Sequence, residues 1–291
     1  MDQLLTPFQF EFFRYGFIAA LLVGALCGMI GVYIVLRGMS YIGHGLSHAI
    51  FGGAVASYVL GWNFYLGAGL WGFVAALLIN QTTRRYRIGA DAAIGIITTA
   101  SFAIGVAIIS RYRRFTTNFD AALFGNVLGV TLNDILIIAA VTVFTLAIIF
   151  FLYKQLLFIT FDREVASSYG VRVEWIDALF AFVLASAIIV SMQTLGVTLI
   201  AAALVIPPIV TRMLTDSFSH MMVGSVLIGA LTAALGMYLS FQLDVASGAM
   251  IVLVGAFLFV LALALREVRR IRRPRLESEL LVPITARDLL E

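Results

Sequence analysis

Long uncharged apolar runs alternate with short polar or charged punctuation along this chain of 291 residues. Stretches free of Asp, Glu, Lys and Arg cover Tyr15 to Leu36, His44 to Leu60, Tyr65 to Ile79, Ala92 to Ser110 and Ile135 to Tyr153. They continue as Ala178 to Thr211, Met221 to Leu243 and Val245 to Leu265. A helix needs roughly 20 apolar residues to cross a hydrocarbon core, so each stretch predicts a span. Ala178 to Thr211 is too long for one helix and tight for two. Gly196 and the pair Pro207-Pro208 inside it are helix breakers, which predicts one full helix followed by a short or broken one. Backbone freed at such a break needs partners and therefore tends to line a cavity. The predicted fold is an all-α polytopic membrane protein with eight or nine transmembrane helices. One transmembrane domain covers 1–268, and 269–291 form a cytoplasmic C-terminal tail.

Composition narrows the function. Apolar residues make up 62% of the chain and charged residues 12%, about half the charge of an average soluble domain. No short apolar segment with a cleavage site opens the chain, so no removable signal peptide is expected. The single Cys27 excludes a disulfide framework and any multi-cysteine metal site. The net charge of +3 comes largely from the basic segment REVRRIRRPR, and nothing points to nucleic acid. The only lysine, Lys154, stands in FLYKQ without the glycine that precedes a P-loop lysine. The chain therefore has no Walker A motif, and ATP-driven work needs a partner subunit. Paired carboxylates, HExxH and Ser/His/Asp arrangements are also missing, so no enzyme is expected.

Orientation follows from Lys and Arg in short loops. The basic C-terminal segment predicts a cytoplasmic C-terminus. Counting back through nine spans places the loops around Arg84 to Arg87, Lys154 to Arg172 and Arg212 inside and the N-terminus outside. Arg111, Arg113 and Arg114 then face outward, against the rule. A re-entrant LFGNVLG segment (Leu123 to Gly129) is the alternative that changes the count.

Two of the three histidines, His44 and His48, lie within an uncharged stretch from Gly38 to Thr83. A spacing of four puts both imidazoles on one helix face. Imidazole suits divalent first-row metals, and polar groups at membrane depth are costly unless they act there. Two ligands do not complete a metal site, so Ser47, backbone carbonyls, water or other helices must supply the rest. pH sensing and packing through interhelical hydrogen bonds remain the competing readings.

A second motif runs from Thr160 to Gly170 (TFDREVASSYG). Thr160 or Asp162 caps a short helix, Asp162 and Glu164 complement its dipole, and Gly170 ends it. Val165 and Tyr169 share a face, while Ala166 and Gly170 permit close approach. The segment reads either as a docking helix for a soluble partner or as an amphipathic helix on the bilayer surface. Asp91, Asp134 and Asp177, each near the start of a span, read as solvated or capping carboxylates.

LRGMSYIGHGLSHAIFGG, DAAIGIITTASFAIG, LFGNVLG, TFDREVASSYGV, QTLGVTLIAAALVIPPIVTRM and SGAMIVLV follow one another in order. Together they resemble the permease subunit of the manganese/zinc/iron ABC importers, over nearly the whole chain up to about Val268. The resemblance implies the type II ABC importer permease fold and a homodimer in the prokaryotic cell (inner) membrane. It also implies two ABC ATPase subunits holding the ATP and an extracytoplasmic metal-binding protein. Asp162, Arg163, Glu164, Val165, Ala166, Tyr169 and Gly170 would form the coupling helix that seats in the ATPase. No permanent cofactor is implied; zinc, manganese or ferrous iron is cargo. The family's pattern resembles GDxxSHA. His48 carries over as the expected ligand, whereas His44 stands at the aspartate position. Imidazole in place of carboxylate leans away from manganese toward zinc or ferrous iron. A secondary metal transporter, proton- or potential-coupled, is the alternative.

Overall fold

A helix that is apolar on every side persists only where lipid or other helices surround it. The computed structural model describes residues 6–85, 88–112, 125, 127–197 and 199–272. Eleven α-helices occur among them: α1 (Glu11–Leu36), α2 (Ile42–Val59), α3 (Phe64–Arg85), α4 (Ala90–Tyr112), α5 (Leu132–Phe151), α6 (Tyr153–Phe161), α7 (Arg163–Ser168), α8 (Val173–Leu195), α9 (Ile200–Leu214), α10 (Phe218–Leu243) and α11 (Ser247–Arg272). Seven of them (α1, α3, α4, α5, α8, α10 and α11) contain segments long and apolar enough to cross a membrane. α2, made more polar by its histidines and glycines, and the shorter α9 complete the expected eight or nine. The predicted tail lies outside the described residues from 273 onward.

α1 is the central helix. Phe13, Leu26, Ile30, Tyr33 and Ile34 are fully buried on it, and α10, α9, α5 and α8 pack around it. Exposed side chains such as Leu136 and Val143 on α5, Leu227 on α10 and Phe257 on α11 form the apolar outer surface that lipid requires.

The expected break in the Ala178 to Thr211 window occurs at Gly196, which caps α8 with φ 77°. The proline pair breaks nothing, contrary to expectation: Pro207 and Pro208 sit inside α9. Prolines lack the N–H that would bond the carbonyl four residues back, so the neighbouring structure must accommodate those carbonyls. At Leu204 this is done by Gly31 of α1, where an added Cβ would lie 1.9 Å from the Leu204 oxygen. The Thr211 hydroxyl donates to the Pro207 carbonyl at 2.8 Å. Gly31→Leu would drive a side chain into that backbone, and a loss of about 2 kcal/mol or more is expected. Thermal unfolding in detergent measures it, and an unchanged midpoint would contradict this packing.

Helix directions fix two ends. Tyr33 meets Phe180 and Cys27 meets Ser191, so α1 and α8 are antiparallel. Gly45 faces Ile94 and Gly52 faces Ser101, so α2 and α4 run parallel. One end gathers the end of α1, the start of α8, the close of α3, and helices α6 and α7. Arg111, in the last turn of α4, is carried to the other end, so its disagreement with the charge rule stands; Arg113 and Arg114 lie outside the described residues. In the LFGNVLG segment, Val127–Gly129 form a 3-10 turn whose Val127 is buried against α1 and α8. Residues 123, 124 and 126 lie outside the description.

Candidate functional site

The histidine helix is positioned by how α1 ends. Met39 N–H donates to the Ile34 carbonyl at 3.0 Å and Gly38 N–H to Val35 at 3.2 Å. These bonds define a Schellman motif, with Gly38 in the left-handed region at φ 67°. The motif reverses the chain within a few residues and starts α2 at Ile42. α2 then packs on α3, α4, α8 and α9. Its glycines are packing contacts: Gly45 and Gly52 face α4, Gly53 faces Trp71, and Gly43 faces Leu204.

As the spacing predicts, His44 and His48 share a face. Their ring centroids lie 4.6 Å apart, edge to face. His48 also meets Phe102 edge-on at 5.1 Å, and Tyr41 lies 5.3 Å from His44. Both histidines are half-buried. Nδ1 of His48 is buried without a hydrogen-bond partner, a state that buried polar atoms rarely keep without a functional reason. No group of three or more His, Cys, Asp or Glu that could hold a metal occurs among the described residues.

Ser47, one of the candidates for the remaining ligands, directs its hydroxyl proton at backbone carbonyls. It is fully buried, and the carbonyls are those of His44 (2.8 Å) and Val197 (2.9 Å). Val197 follows the Gly196 break, where the carbonyl has left its helical ladder. Ser47 thus satisfies backbone freed by the broken helix and ties α2 to it.

The second motif folds as its sequence predicts. Asp162 caps α7 by accepting from Val165 N–H at 2.9 Å. Gly170 ends it at φ 80°, with Val171 N–H donating to the Ala166 carbonyl. Thr160 does not cap it; it belongs to α6, where its hydroxyl donates to Leu156 at 2.6 Å. Ala166 is fully buried, whereas Val165 is 40% and Tyr169 78% exposed. Asp162 and Glu164 are exposed. Arg163 turns inward to form an ion pair with Asp177.

Asp177 departs from its expected solvated or capping role. It is 5% exposed and also pairs with Arg37 at 3.1 Å. Asp134 keeps the expected role, completing a capping box with Thr131. The Asp177 cluster was invisible in the sequence because Arg37 and Asp177 lie 140 positions apart.

Residues 9–266 match the model of the ABC 3 transport family. The manganese transport system membrane protein MntC of Halalkalibacterium halodurans is 38% identical over 261 residues, covering 90% of this chain and 88% of that protein. The chelated iron transport system membrane protein YfeC of Yersinia pestis is 33% identical over 260 residues, covering 89% and 88%. Among solved structures, PsaBC from Streptococcus pneumoniae in complex with Fab superposes with a TM-score of 0.81 at 32% identity. That match covers 90% of this chain and 94% of the other.

Proposed function

Since the chain belongs to the ABC 3 transport family and is a multi-pass membrane permease, we propose that it carries manganese or ferrous iron through a pathway in which His44 and His48 coordinate the ion transiently. The observation that carries this reading is the pair of half-buried imidazoles 4.6 Å apart with His48 Nδ1 unpartnered. A transport site should be incomplete, since an ion held too tightly cannot leave. The missing ligands would come from water, backbone carbonyls or the second permease of a homodimer. The relatives' names favour manganese or iron, and imidazole at position 44 favours the softer metals; ferrous iron satisfies both. Zinc, expected on softness alone, is not a metal those two relatives are named for.

In the same reading, two ABC ATPase subunits dock on α7 at the cytoplasmic face. An extracytoplasmic binding protein delivers metal at the other end. ATP hydrolysis belongs to the partner. Residues 1–268 are the transmembrane domain and 269–291 the cytoplasmic tail.

The test is ATP-dependent uptake by the reconstituted permease, ATPase and binding protein, comparing manganese, ferrous iron and zinc. His44→Asp should move the preference toward manganese by about tenfold, since carboxylate oxygen is the harder donor. An unchanged ranking would remove His44 from the selectivity site. Uptake by the permease alone, without ATP, would overturn the importer reading in favour of a secondary transporter.

A further inference from the structure

Asp177 sits at the fifth residue of α8, beyond the first turn where a carboxylate gains from the helix dipole. It is nevertheless 5% exposed and ionically paired on both oxygens. Oδ2 takes Arg163, the first residue of α7, and Oδ1 takes Nη1 of Arg37 at 3.1 Å. Arg37 is held from further directions. Its Nε donates to Thr160 on α6 at 3.2 Å, and its guanidinium lies 4.4 Å over the Phe180 ring of α8. Its backbone is the C-cap of α1, immediately before the Gly38 turn that launches α2.

We propose that Asp177 is the positioning residue that transmits motion of the docking helix to the metal helix, through the chain Arg163–Asp177–Arg37 and the Gly38–Tyr41 turn. This rests on the reading of α7 as the ATPase-docking helix. Asp177 and Arg37 are buried, while Arg163 reaches Asp177 from the exposed helix, its side chain 44% exposed. Leaving the buried Asp177 charge unpaired is costly, so its two arginine partners tend to move with it. Displacement of α7 pulls Arg163, which carries Asp177 and Arg37, seven positions before His44 in sequence, and so shifts the start of α2 at Ile42. A cavity of about 100 Å³ beside the cluster, lined by Met39, Ile42, Asn80 and Thr83, leaves room between the start of α2 and the end of α3 for that movement. Coupling of two sites requires an element that both sites bias, and this cluster joins four helices to the turn ahead of the histidines.

The experiment reconstitutes permease, ATPase and binding protein in proteoliposomes, with manganese as the probe metal and a parallel ferrous iron series. It reads metal ions moved per ATP hydrolysed, a ratio that simple loss of folded protein does not change. Asp177→Asn should lower the ratio about tenfold, within the usual range for linked sites, while the ATPase still co-purifies and hydrolyses ATP. Arg37→Gln, which leaves Asp177 paired with Arg163 and so tests the link even if Asp177→Asn accumulates poorly, should lower it in the same direction. The double variant should fall no further than the worse single variant, since both cut one pathway. An unchanged ratio in either single variant, or additive losses in the double, would overturn the link while leaving docking on α7 intact. Full ATPase co-purification with Val165→Asp/Tyr169→Asp would instead overturn the docking reading, and this route with it.

Discussion

Replacing His48 with alanine is expected to reduce ATP-dependent metal uptake by about 100-fold or more, with the complex still assembled and hydrolysing ATP. The magnitude follows from ligand chemistry: loss of even an outer partner of a metal ligand costs roughly 10–100-fold in affinity or activity, and His48 would be a ligand itself. The side chain is well placed for selective loss. It lies half-buried against His44 and Phe102, and its Nδ1 bonds to nothing in the fold. Truncation therefore breaks no hydrogen bond at that nitrogen, and the fold should survive. Uptake in liposomes loaded against manganese or ferrous iron checks the prediction. Wild-type uptake in His48→Ala would refute the ligand role and leave the imidazole as a packing group.

The second large effect is expected at α7. Val165→Asp together with Tyr169→Asp should abolish co-purification of the ATPase while the permease alone remains folded. Val165 on the short helix and Tyr169 at its C-cap are both exposed, and Ala166 behind them is fully buried, so charge placed outward disturbs a partner's surface more than the permease core. Burying two unpaired carboxylates at an interface costs several kcal/mol each. That is enough to reverse binding of ordinary micromolar strength, worth about 8 kcal/mol. Pull-down of the ATPase with purified permease decides it. Retained binding would return α7 to the alternative of a helix lying on the bilayer surface.

Local features were legible from residue order because their causes are local. Charge-free runs marked the long helices, since hydrocarbon excludes charge whatever the packing. The four-residue spacing of His44 and His48 put them on one face, and Asp162 and Gly170 bounded α7, because a cap and a left-handed turn involve only neighbouring backbone. Gly196 marked its break for the same reason.

Where several distant segments meet, residue order was silent or misleading. Pro207 and Pro208 stay helical, and Gly31, far away on α1, leaves space for the Leu204 carbonyl that Pro208 cannot bond. Ser47, a reasonable ligand beside two histidines, donates to the Val197 carbonyl across a gap of 150 positions. Asp177 had the look of a solvated helix-end carboxylate until the fold placed Arg37 and Arg163 against it. Helix propensity, apolarity and capping act over a few residues and are written along the chain. The fate of a polar group inside a membrane depends on which distant donor or acceptor packing brings to it, and only the tertiary structure decides that.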